Sequence, residues 1–373
     1  MSNAAPAVAA AGSIGAVGEE EAGEAEEPDA SSNGGGVSGK RRRVCAGEAA
    51  ESLVAEVARR SDGAYFEAYG ELSVHTLMLG DKARVGAYVA AIRAHRTLIE
   101  GKVVLDVGAG SGLLSLLAAR HGGAARVYAV EASPTMAEVA RTLAARNGLE
   151  GVVRIVEGKV EEVELPEKAD VLVSEWMGFY LIHESMLESV LVARNRWLRP
   201  GGLMLPGSAR IWSAIVDAEE LRQEVEAYDD LYGLDLSPMG KSELARRCRE
   251  PQVESVEPRR LLTAPVLAAD LGDLATLAVG STAELHSKVN FVALRAGRAA
   301  GVAFWFDCGF GATTGPSELV LSTAPGAPPT HWQQTVVYLG VFVPVEAGDA
   351  LPVSVTFRQS VQNPRQYDIT VET

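Results

Sequence analysis

The fold is decided by residues 103–120, which read VVLDVGAGSGLLSLLAAR. Residues 103–107 have the composition of a buried strand, a turn with three glycines follows, and residues 113–120 indicate a helix. Strands and helices alternate downstream at a spacing that is typical of a parallel sheet covered on both faces. They are the strands 127–130, 153–156 and 171–173 and the helix 135–146, which Asn147 and Gly148 close. The sequence therefore predicts a Rossmann-like α/β domain.

A different pattern follows the Arg-Pro-Gly-Gly segment at residues 199–202. The strand-like segments beyond it are 209–217, 302–306, 335–339 and 351–358. A helical stretch at 218–232 interrupts them. We therefore expect an antiparallel sheet or β-barrel over residues 206–373, after a first domain at residues 48–205.

The glycines of the turn predict the kind of cofactor. Their spacing is Gly-x-Gly-x-Gly, and the third glycine of a dinucleotide-binding turn would fall at Leu113. Asp106 precedes the turn, where its carboxylate would repel a pyrophosphate but attract a sulfonium or ammonium group. Glu131, after the second strand, is placed to accept hydrogen bonds from ribose hydroxyls, although an acid there also fits NAD. Together these features favour S-adenosylmethionine; the alternative is a tight turn that needs glycine for packing alone.

Two further segments are candidates for the cofactor site. The planar guanidinium of Arg84 can bind a carboxylate with two hydrogen bonds. Residues 158–162 follow the third strand, where an acceptor could meet an adenine amino group. Each also has an ordinary interpretation, with Arg84 as a surface residue and Glu161 as a loop acid.

Two glutamates lie in the apolar segment 174–187, which reads SEWMGFYLIHESML. Burying an ionised carboxylate costs on the order of several kcal/mol unless a cation or hydrogen-bond donors receive it. Taken alone, Glu175 and Glu184 would be interpreted as a loop or N-cap residue and a solvated helix residue. Beside a cofactor turn, the pair instead indicates a site for a cationic substrate.

Composition narrows the possible partners. Of the 373 residues, 47% are hydrophobic, and the formal net charge is -15. An acidic chain argues against binding to a phosphate backbone and favours a basic peptide or protein. The three cysteines lack CxxC spacing, which favours a reducing compartment and predicts no metal site. No apolar stretch approaches the about 20 residues that cross a bilayer, and the amino terminus lacks the basic start of a signal peptide.

Residues 1–47 are rich in Ala, Gly, Ser and Glu and have almost no large apolar side chains. Such a segment cannot bury enough surface to offset its ordering entropy, so we expect a disordered acidic tail. Within it, Lys-Arg-Arg-Arg at residues 40–43 is either a nuclear import signal or solvating charge.

With these residues in view, the chain resembles the protein arginine N-methyltransferases from about residue 65 to its carboxyl terminus. The similarity lies in the tyrosine-rich segment 65–69, the glycine turn, the double-glutamate segment 174–187 and Thr-His-Trp at residues 330–332. The second strand and its following Glu-Ala-Ser resemble most the sixth member of the type I group. The resemblance implies transfer of methyl groups to arginine in proteins such as histones, with monomethyl and asymmetric dimethyl products. It also implies a location in the nucleus, with the cytoplasm as a further compartment.

The resemblance further implies a homodimer, in which a helical arm at about residues 218–245 docks onto the cofactor domain of a second subunit. Glu175 and Glu184 would hold the substrate guanidinium, and His331 would pair with Asp81 beside it. The cofactor would be held by His75, Arg84, Asp106, Gly108, Gly110, Gly112, Glu131, Val160 and Glu161. The substrate pocket would be lined by Tyr69, Met78, Met177, Met186 and Trp332, with Met78 leaving room for a second methyl group on one nitrogen.

One departure from the family's pattern is Thr76-Leu77, where members commonly have two glutamates; it affects a local acidic contact but neither catalytic carboxylate. Three other functions remain as alternatives: a methyltransferase for another acceptor, a non-catalytic scaffold that binds basic proteins, and an NAD-dependent dehydrogenase. The glutamate pair argues against the first, the retention of four acidic site residues against the second, and the glycine spacing against the third.

Overall fold

A five-stranded parallel sheet carries the amino-terminal part of the fold. The computed structural model describes residues 72–312 and 318–373, together with Gly63. The strands are β1 (Val103–Val107), β2 (Arg126–Glu131), β3 (Val153–Glu157), β4 (Ala169–Ser174) and β5 (Leu198–Leu205). Their order is β3-β2-β1-β4-β5, and every neighbouring pair is parallel. The Rossmann-like sheet is thus confirmed. The predicted tail with its basic cluster at 40–43 and the predicted pocket residue Tyr69 lie outside the described residues.

The last strand of the parallel sheet contains the Arg-Pro-Gly-Gly segment, after which the sequence pattern changes. Residues 199–202 belong to β5, which pairs with β4 and lies at the edge of the sheet. An edge strand tolerates Pro200, because part of its N–H groups have no partner strand. The antiparallel strands begin at Ser208, beyond the cis peptide bond between Leu205 and Pro206.

Helices precede the sheet, connect its strands and form an arm on the second half. They are α1 (Leu72–Gly80), α2 (Lys82–Ala94), α3 (Arg96–Ile99), α4 (Leu113–Leu117), α5 (Pro134–Arg146), α6 (Met186–Trp197), α7 (Glu219–Glu226) and α8 (Ser237–Arg249). The helix predicted at 113–120 is α-helical only to Leu117. A π-helical turn, Ala118–Gly122, follows it and ends at Gly123, whose φ is +74°.

The second half is built from antiparallel strands, as predicted, in a barrel-like arrangement of two sheets. They are β6 (Ser208–Asp217), β7 (Gln252–Glu254), β8 (Val266–Asp273), β9 (Glu284–Val292), β10 (Gly297–Ala312), β11 (Glu318–Ser322), β12 (Gln334–Val345), β13 (Ala350–Gln359) and β14 (Tyr367–Glu372). One sheet has the order β7-β12-β10-β6-β8, with β11 on β10, and the other has the order β14-β13-β9.

The parallel and antiparallel parts share one apolar core. Tyr88 of α2 packs edge-on against Phe310 of β10, with ring centroids 5.0 Å apart. Tyr180, from the loop after β4, stacks on Phe357 of β13 at 6.0 Å. Both contacts join residues of the predicted cofactor domain to the barrel, so the barrel helps to set the shape of the loop between β4 and α6.

The helical arm is a hairpin that reaches further than the sequence indicated. It comprises α7, a 3-10 turn at Ala227–Asp230, and α8, which ends at Arg249 rather than near residue 245. A separate cluster of buried apolar residues lies between the arm and the antiparallel sheet, and includes Leu221 and Trp305. Tyr232, between the two helices, is 92% exposed.

No helix in the part of the chain described is long and apolar enough to cross a membrane. The same residues contain no group of His, Cys, Asp and Glu side chains arranged to hold a metal ion.

Candidate active site

Three strands end next to one another at one edge of the parallel sheet, and predicted site residues follow each of them. Val107 of β1 lies beside Val130 of β2 and beside Ser174 of β4. The glycine turn, Glu131 and Glu175 therefore meet at the same edge. In open parallel sheets, this carboxyl edge is where ligands bind.

The glycine turn combines a left-handed backbone with close packing. The φ angles of Gly108, Gly110 and Gly112 are +68°, +54° and +79°. A Cβ atom on Gly108 would lie 2.1 Å from Cε of Met186, and one on Gly110 would lie 2.9 Å from Cε1 of His75. Met186 and His75, both predicted site residues, thus border the turn. Packing and backbone conformation each require glycine here, in addition to any approach of a cofactor.

Glu131 is held in place by the same turn. Its Oε2 accepts a hydrogen bond from the N–H of Gly110 at 2.7 Å, and its Oε1 accepts one from the N–H of Ser133 at 2.7 Å. A carboxylate has about four acceptor positions, so acceptor capacity remains for a pair of ribose hydroxyls. The residue therefore fits its predicted role.

Asp106 lies deeper than we expected. Its side chain is fully buried, and Oδ2 accepts a hydrogen bond from Oγ of Ser115 at 2.7 Å, while Oδ1 has no partner among the described residues. Burial raises the pKa of Asp106 to about 7, although the hydrogen bond from Ser115 works in the opposite direction. Direct contact between Asp106 and the cofactor stays a prediction. The charge of the carboxylate, where it is ionised, would stabilise a bound cation.

The segment after β3 is held by Arg196 of α6. Nη1 of Arg196 donates to the carbonyl oxygen of Val160 at 3.3 Å and also to that of Glu161. Val160 is buried and Glu161 is exposed. The backbone at this position is therefore fixed, while the Glu161 side chain is open to solvent. Whether either residue contacts an adenine ring stays a prediction.

Arg84 and Glu175, which we assigned to different ligands, bind each other. Nε and Nη2 of Arg84 lie 2.9 and 2.7 Å from Oε2 of Glu175, and Nη1 donates to the carbonyl oxygen of Met78 at 2.9 Å. Both side chains are 11% exposed. Burial lowers the pKa of Arg84, but the charge and hydrogen bond of Glu175, together with the charges of Tyr88 and Asp81, outweigh burial and hold the pKa above its usual value. The guanidinium keeps N–H donors for a carboxylate ligand.

Asp81 and His331 meet as the resemblance implied. Oδ2 of Asp81 lies 2.9 Å from the backbone nitrogen of His331 and 2.7 Å from its ring Nδ1. Oδ1 accepts a hydrogen bond from the N–H of Arg84 at 2.9 Å and so caps α2. Burial works to raise the pKa of Asp81, but the hydrogen bonds from His331 and Arg84 outweigh it and hold the pKa below its usual value. The pair joins the barrel to the helix that carries Arg84.

The loop that carries both glutamates is tightly bent. Its left-handed non-glycine residues are Tyr180, Leu181, Glu184 and Ser185. Each such residue costs on the order of 1–3 kcal/mol, so contacts from outside the loop must hold it. Gly178 and Leu181 exchange two backbone hydrogen bonds at 3.0 Å. A Cβ atom on Gly178 would lie 2.2 Å from the carbonyl oxygen of His183, so only glycine fits there.

Inside this loop, Oη of Tyr180 lies 2.9 Å from Nδ1 of His183. Burial lowers the pKa of His183 to about 4. The ring is therefore neutral at physiological pH and adds no positive charge between Glu175 and Glu184.

The predicted pocket residues lie around these groups where the structure describes them. Nε1 of Trp332 donates to the carbonyl oxygen of Met177 at 3.0 Å and links the barrel to the loop. Met78 is joined through its carbonyl oxygen to Arg84, and Met186 lies against Gly108.

Two contributors were missed by sequence reasoning. Tyr88 of α2 donates from its hydroxyl to the carbonyl oxygen of Ser174, the residue directly before Glu175, at 2.8 Å. Ser115 is the hydroxyl partner of Asp106. A serine within the otherwise apolar α4 was a usable signal, whereas nothing in the sequence connects Tyr88 to β4.

A glycine turn after β1, an acceptor after β2 and a carboxylate after β4 define a Rossmann-type methyltransferase that uses S-adenosylmethionine. Comparison with protein families agrees. Residues 104–202 match the model described as a methyltransferase domain, and residues 207–373 match the arginine methyltransferase oligomerization subdomain.

Relatives of known family extend this result. The probable protein arginine N-methyltransferase 6 of Arabidopsis thaliana is 39% identical over 346 residues, which cover 83% of this chain and 78% of the relative. The probable protein arginine N-methyltransferase 1.2 of the same plant is also 39% identical, with coverage of 82% and 81%. A solved Trypanosoma brucei PRMT1 enzyme–prozyme heterotetrameric complex with AdoHcy superimposes with a TM-score of 0.73 at 34% identity, covering 81% of this chain and 93% of that one. The chain belongs to the protein arginine N-methyltransferase family.

Proposed function

We propose that this chain transfers methyl groups from S-adenosylmethionine to guanidino nitrogens of arginine in basic proteins such as histones, giving monomethylarginine and asymmetric dimethylarginine. The observation that carries the proposal is the shared edge of three strands, at which the glycine turn lies between Glu131 and Glu175. Family membership and the net charge of -15 support a basic protein as the substrate.

Glu175 already binds a guanidinium group in this structure, that of Arg84. A carboxylate that accepts two N–H groups of one arginine is suited in chemistry and position to accept those of another. No other described residue donates a hydrogen bond to this carboxylate, so an oxygen atom remains for a substrate. Glu184 follows in the same loop and is the second predicted partner of the substrate.

The two carboxylates would act by polarising the substrate rather than by deprotonating it in advance. The pKa of arginine is about 12.5–13.8, so full deprotonation at neutral pH would cost on the order of 8–9 kcal/mol. Glu175 and Glu184 would draw positive charge toward the nitrogens they bind and leave the remaining nitrogen richer in electrons. S-adenosylmethionine, when bound, supplies a methyl group on a positively charged sulfur. Holding the acceptor nitrogen in line contributes roughly 7–11 kcal/mol.

The type of product is assigned through Met78. Its carbonyl oxygen is bound to Arg84, so its backbone lies at the edge of the site. A flexible methionine side chain yields to a second methyl group more readily than a rigid aromatic ring does. Asymmetric dimethylation, the type I product, is therefore the outcome we propose.

A homodimer is the assembly we propose, with the helical hairpin as the contacting arm. Tyr232, Leu234 and Met239 of the hairpin are 92%, 60% and 59% exposed. An apolar cavity of about 430 Å³ lies near the glycine turn. Its lining includes Leu79, Leu113, Leu116, Leu117, Leu143 and Leu149. The exposed apolar arm of one subunit could pack into the apolar cavity of the other, because both surfaces are apolar. Replacing Tyr232 by a charged residue, Tyr232→Asp, should therefore shift the sedimentation coefficient to that of a monomer.

The nucleus is the location we propose, with residues 40–43 as the import signal. Alanine at all four positions should leave a fluorescently tagged chain in the cytoplasm. Unchanged nuclear accumulation would show that these residues are not an import signal and only supply solvated charge.

The central experiment offers the protein labelled S-adenosylmethionine with a panel of histones and Gly-Arg-rich proteins, followed by mass spectrometry of the products. Glu184→Gln should abolish most turnover while calorimetry shows unchanged cofactor binding. Glu346→Gln, a change at an exposed loop residue outside the site, is the matched control and should keep the wild-type rate.

The same experiment separates the alternatives. Label on a residue other than arginine would indicate a methyltransferase for another acceptor. Binding of basic proteins with no transfer of label would indicate a scaffold.

A further inference from the structure

The backbone of Glu184 is held by a hairpin loop near the carboxyl terminus. The N–H of Glu184 donates to the carbonyl oxygen of Arg365 at 2.6 Å. In return, Nη1 of Arg365 donates to the carbonyl oxygen of Glu184 at 2.9 Å. Arg365 lies between β13 and β14, 181 positions further along the chain. One residue of the barrel therefore binds both backbone polar groups of a predicted catalytic residue.

This contact acts where the backbone conformation is unfavourable. Glu184 has a φ of +74° and Ser185 has a φ of +54°, and neither is glycine. Such conformations persist only where surrounding structure determines them, and they concentrate at functional sites. The two hydrogen bonds between Glu184 and Arg365, one donated by each residue, are placed to supply that constraint at Glu184.

The neighbouring residue is bound to the same hairpin loop. Oγ of Ser185 donates to the carbonyl oxygen of Pro364 at 2.6 Å, and Nε2 of Gln359 donates to Oγ of Ser185 at 3.0 Å. The left-handed pair at residues 184 and 185 is thus bonded to the loop through both of its members.

The first turn of α6 is fixed to the barrel at a second place. Oε1 of Glu188 accepts a hydrogen bond from the hydroxyl of Thr282 at 2.6 Å, and Oε2 accepts one from the N–H of Gly280 at 2.7 Å. Because α6 cannot shift freely, the contact between Arg365 and Glu184 acts on a loop whose far end is already fixed. Loss of Arg365 should then alter the local conformation at Glu184 rather than release the whole segment.

We propose that Arg365 is a positioning residue for the methyl-transfer reaction, which orients the Glu184 carboxylate by fixing its backbone from both sides. The inference rests on the proposed function, in which Glu184 binds the substrate guanidinium. Arg365 does not itself contact the substrate in this account. Its effect therefore belongs to turnover, and binding of the cofactor, which lies at the glycine turn and Glu131, stays unchanged.

The test uses the full chain and steady-state kinetics with S-adenosylmethionine and an arginine-rich histone-tail peptide. Arg365→Met keeps the length of the side chain and removes its donors, and Arg365→Lys keeps one donor group. Arg358→Met is the matched control, because Arg358 lies on the same hairpin and makes an exposed ion pair with Glu284. Arg365→Met should lower kcat at least tenfold, with the cofactor dissociation constant within twofold of wild type. Arg365→Lys should recover a large part of the loss, and Arg358→Met should match wild type.

A merely structural role predicts a different set of results. In that case Arg365→Met would lower the melting temperature well below that of Arg358→Met and weaken cofactor binding in parallel with kcat, and the proposal would be overturned. It would equally be overturned by a wild-type kcat in Arg365→Met. A wild-type protein with no transfer to any arginine peptide would instead refute the proposed function itself, and with it this inference.

Discussion

Nε and Nη2 of Arg84 converge on a single oxygen atom, Oε2 of Glu175, across 91 positions of sequence. The pair ties α2 to the end of β4 and neutralises two groups that we assign to different ligands. A cofactor carboxylate that binds the remaining N–H donors of Arg84 would share its positive charge with Glu175. The charge of Glu175 would then be less fully compensated and would attract the substrate arginine more strongly, which predicts that the cofactor strengthens peptide binding in calorimetry.

The Arg84–Glu175 pair should contribute strongly to stability, because both side chains are 11% exposed. Removing one partner of a buried ion pair costs about 3–5 kcal/mol, since the other charge is left uncompensated. We expect Arg84→Met to lower the free energy of unfolding by about that amount in urea titrations. Glu175→Gln added to Arg84→Met should restore part of the loss. Arg96→Met, which breaks an exposed pair with Glu100, is the control and should change nothing measurable. If the double variant instead lost the sum of the two single losses in free energy of unfolding, Arg84 and Glu175 would not stabilise each other.

Asp106→Asn should stabilise the protein without ligand at alkaline pH. The pKa of Asp106 in the fold, about 7, lies above its ordinary value of 3.8. The folded chain therefore binds more protons than the unfolded chain between these values, and stability falls as pH rises from 4 to 7. Above pH 7 the full cost is present, up to about 4 kcal/mol for a shift of this size. The difference in melting temperature between Asp106→Asn and wild type should be larger at pH 8 than at pH 5.

The same variant tests the role of Asp106 in cofactor binding. Calorimetry should show weaker binding of S-adenosylmethionine to Asp106→Asn, since the negative charge near the bound cation is lost. Unchanged affinity would show that Asp106 does not contribute to the cofactor site.

Gly108→Ala separates packing from cofactor binding. The added Cβ atom would lie 2.1 Å from Cε of Met186, the flexible end of a side chain, at a residue whose φ is +68°. We expect a lower melting temperature and weaker cofactor binding. Combining Gly108→Ala with Met186→Ala removes the clash but retains the cost of the left-handed alanine, about 1–2 kcal/mol. Stability should then recover in part. If cofactor affinity recovers fully as well, the glycine serves packing alone.

His183 should make the stability depend on pH between about 4 and 6.5. Burial lowers its pKa in the fold to about 4, from 6.5. The unfolded chain binds more protons in this window. Above pH 6.5 the neutral ring of His183 costs the fold no protonation energy, and the free energy of unfolding decreases as pH falls toward 4. His183→Gln should reduce the fall in melting temperature on acidification, measured by scanning calorimetry. His286→Gln, at an exposed position, is the comparison and should keep the wild-type dependence. Equal slopes in all three proteins would refute this assignment.

Much of the site was accessible from the sequence because its parts are local. The turn at residues 108–112 needs glycine for reasons that act within a few residues, and Glu131 and Glu175 each come directly after a strand. Once the strands are known to be parallel, their carboxyl ends must share an edge. The register then brings these residues together without any further information.

Other features depended on partners that no local pattern encodes. Arg84 faces Glu175 rather than a surface, and Asp106 is buried beside the hydroxyl of Ser115. Glu184, whose backbone is left-handed, is hydrogen-bonded to Arg365, which lies in the other half of the chain.

The sequence by itself determined the alternation of strands and helices, the turn that suits S-adenosylmethionine and the two acids that suit a guanidinium, since periodicity and residue chemistry act over short distances. Only the tertiary structure decided which charges are buried, which of them pair, and how the glutamate loop is held. Those outcomes depend on the dielectric environment and on contacts between distant segments, and both come into existence only when the barrel packs against the parallel sheet.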